Sequence, residues 1–299
     1  MDTNVGNEEF ILDENKKKTP LKISFLSKEV LDCPVCNESF HKEELLTGSG
    51  RLIAGPLTDE LHRLYETSAR YGDIYPLAYQ AVVCPNCWFA SSLDDFPNIP
   101  NDQKEQAFDD GFDRKDDVIN IFSNIDFYKP RTLLAGAVSQ YLVMRCYDYY
   151  SPEFSPTVKQ GIAALRASWL IEHMDENEPG QHWDWLAILF KRKARFFCSR
   201  ALQNEASGKE ALSALKIFGP DVDKNYGYEG FLYITEFLEF KYGDQSDMGA
   251  WREKLADTKR TLAKMFGLGK SSKSKPGPLL EKSRKLYDLI AKELQDFDE

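Results

Sequence analysis

The chain lacks the short motifs by which many enzymes announce themselves. Its 299 residues contain no Walker-type phosphate loop, no G-x-G-x-x-G, no G-x-S-x-G and no HExxH. Carboxylates are plentiful, but no two stand out as an acid and base pair. Long apolar runs are missing too: none reaches the roughly 18–20 residues that span a bilayer. The opening stretch, MDTNVGNEEFILDENKKKTP, has neither the basic head nor the apolar middle of a signal peptide. These absences predict a cytoplasmic protein with no membrane partner. Excess positive charge is also missing. A net charge of -10 and a pI near 5.1 repel phosphates on average, which disfavours non-specific binding to nucleic acid. Six cysteines in so long a chain are too few for a disulfide scaffold.

Four of those cysteines form two identical units. LDCPVCNESF holds Cys33 and Cys36, and VVCPNCWFA holds Cys84 and Cys87. A CxxC turn presents two sulfurs to one ion, and two such turns complete the tetrahedral shell that zinc prefers. Proline after the first cysteine stiffens each turn. Asn37 tolerates the left-handed conformation that a residue after the second cysteine adopts, whereas Trp88 is less comfortable there than glycine would be. The competing reading is a redox dithiol. That reading wants a cysteine at a helix N-terminus in a β-α-β setting, and neither pair is followed by a long helical pattern. Four cysteines close the shell, so the expected ion is one structural zinc per chain. His41 and His62 lie in the same region and are candidate substitutes for a cysteine.

Along the chain, residues 1–20 read as a flexible tail and 21–96 as a zinc-ribbon-like module. Within the module, Ile23 and Phe25 mark a strand. Residues 55–72 read as a short helix, with Thr58 as cap, Asp59 and Glu60 in the first turn and Gly72 as stop. The alternation Tyr75, Leu77, Tyr79, Ala81, Val83 reads as a strand. Residues 97–128 form an acidic connector. Helical periodicity then dominates residues 129–267. Pro130 suits a first helical position, Ser155 a cap before Pro156, and apolar stripes follow, such as Val158, Ile162, Leu165 and Trp169. A basic linker over 268–277 precedes a last helix at 278–299, striped by Leu280, Tyr287, Ile290, Leu294 and Phe297. The expected fold is mostly α: a helical-hairpin body with a small N-terminal α+β module. No clean internal period is visible.

The order CPVCNESF, Arg51, RYGDIYPLAYQAVVCPNCWFA and then ALRASWL resembles the bacterial domain-of-unknown-function 2225 family. The resemblance covers about residues 25–265. It implies Cys33, Cys36, Cys84 and Cys87 as zinc ligands and a tetratricopeptide-like second half. Trp88 departs from the glycine that the family pattern favours. No activity comes with the resemblance.

The remaining chemistry-bearing residues read as structural. Cys146 and Cys198 sit singly in helical patterns, as buried thiols do. His173 and His182 flank an acidic interhelical loop. Lys191, Arg192, Lys193, Arg195 and Arg200 give one helix a basic face, and Lys270, Lys273, Lys275, Lys282, Arg284 and Lys285 do the same near the C-terminus; both read as solvated faces balancing nearby acids. Trp169, Tyr233 and Trp251 line either a groove or the interhelical core. The function expected is a non-enzymatic, zinc-stabilised interaction protein with a protein partner, an acidic one among the options. Nucleic-acid binding through the zinc module and basic segments, and thiol redox catalysis at the CPxC pairs, are the alternatives.

Overall fold

A computed structural model describes residues 21–212, 215, 219, 221, 226–266 and 276–296. The expected tail at 1–20, most of the basic linker with Lys270, Lys273 and Lys275, and Phe297 lie outside the described residues. The fold is mostly α with a small N-terminal module. The module consists of three two-stranded antiparallel pairs: β1 (Ser24–Asp32) with β2 (Ser39–Leu45), β3 (Ile53–Leu57) with β4 (Arg63–Glu66), and β5 (Val82–Val83) with β6 (Ala90–Ser91). Eight α-helices follow among the described residues: α1 (Lys104–Asp109), α2 (Gly111–Ile121), α3 (Leu133–Cys146), α4 (Pro156–Asn177), α5 (Trp183–Ala206), α6 (Gly227–Tyr242), α7 (Met248–Phe266) and α8 (Gly277–Asp296).

Two expectations in the module are corrected. Residues 55–72 form the β3–β4 hairpin region, not a helix. Leu61 takes a left-handed φ of 59°, and Thr58 bonds across the turn to His62, its N–H donating at 2.8 Å. The two acids that imitate a helix start are held by remote cations instead: Asp59 by Lys282 and Lys285, Glu60 by Lys191. The expected strand over Tyr75–Val83 survives only at Val82–Val83. Pro76 opens a 3₁₀ turn through Tyr79, because it fixes φ and offers no N–H to a ladder. The acidic connector contains two helices, α1 and α2. Arg114 anchors α2 and is fully buried, whereas Asp109, Asp113 and Asp116 beside it in sequence are exposed.

The helical body packs in chain order, with α4 and α5 as its central hairpin joined by residues 178–182. Thr132, not Pro130, starts α3: its hydroxyl accepts from the Ala135 N–H at 3.1 Å. Ser155 does not cap α4. Its backbone is left-handed and its hydroxyl donates to the Ala211 carbonyl. Pro156 does sit in the first turn as expected. Trp169, Tyr233 and Trp251 are buried interhelical core, though Trp169 also lines a concavity beside the β3–β4 hairpin. The buried face of α8 runs Leu279, Ser283, Leu286, Ile290, one residue earlier at its start than the stripe read from sequence.

The module does not stand apart. Its 3₁₀ turn packs on α3 where Gly136 has no side chain; a Cβ there would lie 2.5 Å from the Ala78 Cβ. Buried residues from Cys33 through Phe89 and Trp169 to Ile290 form one continuous core.

Candidate metal centre

Each cysteine pair sits in the turn of one hairpin. Cys33 and Cys36 bridge β1 and β2, and Cys84 and Cys87 bridge β5 and β6. The two turns are built alike. The Cys33 N–H donates to the Glu38 carbonyl at 2.8 Å and the Asn37 N–H to the Cys33 carbonyl at 2.9 Å. The Cys84 N–H donates to Phe89 at 2.9 Å and the Trp88 N–H to Cys84 at 3.0 Å. Asn37 and Trp88 take the same left-handed φ, 59° and 60°. For tryptophan this conformation costs about 1–2 kcal/mol. Packing holds it there: the ring is buried, meets Phe127 edge-on at 5.4 Å and lies under the Lys115 ammonium.

The four sulfurs converge, all within 4.8 Å of one another. Cys33 lies 3.6 Å from Cys87 and Cys36 lies 3.5 Å from Cys84, each pair spanning the two hairpins. Zinc–thiolate bonds of about 2.3 Å at tetrahedral angles place sulfurs about 3.8 Å apart, so the cluster has the size of such a shell. Its charge state fits a cation as well. Thiols of Cys33 and Cys87 sharing protons with Cys84 push the Cys84 pKa far down, and the same sharing pushes Cys33 up to about 12 and Cys87 higher still. Four thiolates require a dication to compensate them. These four cysteines can therefore hold a metal ion.

The surroundings fix the second turn to the helical body. Arg114 donates to the Cys87 carbonyl at 3.0 Å and to the Tyr149 hydroxyl at 3.1 Å, and Tyr149 donates to Asp110 at 2.6 Å. At the first turn Tyr128 donates to Glu38 at 3.0 Å. Asn86 donates to the Cys36 sulfur at 3.6 Å. Sequence reading missed Arg114, whose charge is swamped by neighbouring aspartates. Its one available signal was a lone arginine within a helical period.

The other candidates fall elsewhere. His41 sits on β2 opposite Val30. His62 stacks on Trp169 with ring centroids 4.3 Å apart, and its Nδ1 lies 2.5 Å from Asp221. Neither belongs to the cysteine cluster. Cys146 and Cys198 are buried, and burial pushes both thiols up, Cys198 to about 12. His173 pairs with Glu176 at 2.8 Å, and no second group of metal-ligating side chains occurs among the described residues. Lys191 corrects the expectation of a solvated basic face. It is buried, 2.8 Å from Glu60 and 2.5 Å from Glu172. Arg195 pairs with Glu239 at 3.1 Å.

No helix of the described residues is long and apolar enough to cross a membrane. A family model described as "Uncharacterized protein conserved in bacteria (DUF2225)" matches residues 26–290. A protein of Borreliella burgdorferi, described as "Uncharacterized protein", is 41% identical over 276 residues, which is 92% of this chain and 99% of that one. No solved structure matches significantly.

Proposed function

The chain belongs to this bacterial DUF2225 family, and from that footing we propose that it is a non-enzymatic interaction protein stapled by one structural zinc ion. Cys33, Cys36, Cys84 and Cys87 hold the ion. The observation that carries this reading is the convergence of the four sulfurs at the spacing of a tetrahedral shell. A dication there keeps all four thiolates charged and leaves no open position for a substrate. The ion cross-links the β1–β2 and β5–β6 hairpins, and the Arg114 bond to Cys87 ties that cross-link to α2.

The interaction half of the proposal rests on α5. Trp185, Ile188 and Phe196 follow one helical face and are 61%, 41% and 58% exposed. Exposed Arg192, Lys193 and Arg200 accompany them. Apolar side chains next to cations suit an acidic amphipathic segment of a partner protein, whose carboxylates would meet the basic residues.

Elemental mass spectrometry on tag-free protein tests the zinc. One zinc per chain, lost in Cys84→Ser, is expected. A metal-free protein whose thiols titrate freely would overturn the reading and bring the dithiol alternative forward.

A further inference from the structure

Two exposed helical faces of this chain match in spacing and oppose one another in charge. On α5, Ile188, Arg192 and Phe196 follow at four-residue intervals, with Trp185 one turn before them. All four are exposed, so they form one outward stripe with a cation at its middle. Lys193 and Arg200 flank it and are exposed as well.

The second face lies on α1 and α2. Phe112, Asp116 and Ile119 follow at intervals of four and three residues, and all are exposed. Phe112, at 81%, is the most exposed large apolar side chain among the described residues. Phe108 stands one turn earlier, and Glu105, Asp109 and Asp113 border the stripe. Of the neighbouring cations, Arg114 is buried, Lys104 is half-buried and Lys115 lies over the Trp88 ring at 5.7 Å. The outward charge is therefore negative. Apolar side chains ranged along a face and rimmed by charge are a form that interaction surfaces take.

The dimensions agree. At the helical rise per residue, Ile188 to Phe196 spans about 12 Å and Phe112 to Ile119 about 10 Å. Laid together, the stripes set Arg192 against Asp116 at the centre, with apolar side chains facing each other on either side. The two faces do not meet within one chain. The ring of Phe122, just past the end of α2, meets Trp183 at 6.5 Å and Phe190 at 6.2 Å. Two residues turn a helix by about 200°, so Trp183 and Phe190 lie on the side of α5 opposite to Trp185 and Arg192. The end of α2 thus packs behind the exposed stripe of α5.

We propose that α5 of one copy docks α1 and α2 of a second copy of this chain, with Arg192 on Asp116. The contact is heterologous, each copy offering α5 to one neighbour and α2 to another. It presupposes that α5 is an interaction face, as proposed above, and it needs no zinc.

Sedimentation equilibrium of the full chain from micromolar to near-millimolar concentration tests it. The mean mass should rise with concentration. Arg192→Gln with Phe196→Ser removes the α5 stripe, and Phe112→Ser with Asp116→Asn removes the α2 stripe. All four side chains are exposed, so both variants should keep the wild-type metal content and the melting curve of the dilute protein. Each variant alone should hold the mass of one chain. Mixed in equal amounts, they share one intact α5 and one intact α2, and should form a dimer of one each. A wild-type mass that stays at one chain throughout would overturn the second copy as occupant, leaving α5 open to another protein. Association lost in the α5 variant but kept in the α2 variant would overturn it too, while leaving α5 as a docking face. Association kept in the α5 variant would overturn both this contact and the α5 reading beneath it. A mixture that stays monomeric would overturn the pairing of the two stripes.

Discussion

Single residues carry two opposing demands at the second cysteine turn. Trp88 occupies a left-handed position that glycine adopts freely, at a cost of about 1–2 kcal/mol. Its buried ring returns more: removing a buried tryptophan side chain costs about 3–5 kcal/mol. Trp88→Gly is therefore expected to destabilise the metal-loaded protein by about 2–3 kcal/mol in chemical denaturation, despite relieving the backbone. Asn37→Gly, at the matching position of the first turn, makes no such exchange and should change stability by less than about 1 kcal/mol. The tryptophan that looked like a flaw in the second unit is thus a core residue that happens to sit in a turn. Equal effects of the two glycine substitutions would contradict this account.

At the scale of elements, legibility followed how local the determining interactions are. The cysteine quartet was readable because CPxC encodes its turn within a few residues, and two like turns imply one ion. Helices α5 and α7 were readable because their buried faces repeat at helical spacing, whereas α3 is buried on every side from Ala135 to Met144. The β3–β4 hairpin was not. Thr58, Asp59 and Glu60 imitate a helix start, while the lysines that claim the two acids, Lys282, Lys285 and Lys191, lie in distant helices. Arg114 was hidden for the converse reason, since its partners Cys87 and Tyr149 come from segments on either side of it. The join between module and body is just as non-local, and it can be tested at Gly136. A methyl there meets Ala78 at 2.5 Å, where both partners belong to rigid backbone turns. Gly136→Ala should cost about 1–3 kcal/mol through overpacking, against the gain that alanine normally brings inside a helix. By contrast Phe196→Ser on the exposed face of α5 should stay within about 0.5 kcal/mol. Thermal or chemical unfolding of both variants separates a packed glycine from a surface kept apolar for a partner.

For the whole molecule, the decisive property is that the four-cysteine cluster, the proposed zinc site, shares its core with the helices. Cys84, Phe89, Trp169 and Leu286 belong to one buried cluster, and Arg114 links the Cys87 carbonyl to α2. Zinc binding contributes about 10–16 kcal/mol to small finger peptides at neutral pH, and that energy is folding energy. In a chain with a continuous core it acts on the entire cooperative unit. A chelator should therefore lower the melting temperature of the α-helical signal itself, in a single transition, and Cys84→Ser should reproduce the shift. Acid should act in the same direction through two steps of known sign. Protons compete with the metal for the four thiolates, so the ion leaves first as pH falls. Asp59, whose pKa Lys282 and Lys285 hold below the usual carboxylate value, contributes stability that is complete above the unfolded carboxylate pKa near 3.9. That contribution is lost only as pH drops through the lower folded value. Metal release should thus precede the loss of helix on titration from pH 7 to pH 3, followed by zinc-sensitive dye and circular dichroism together. A helical signal that melts at the same temperature with and without metal would mean that the module and the helical body are energetically separate, and that their shared core is only a contact.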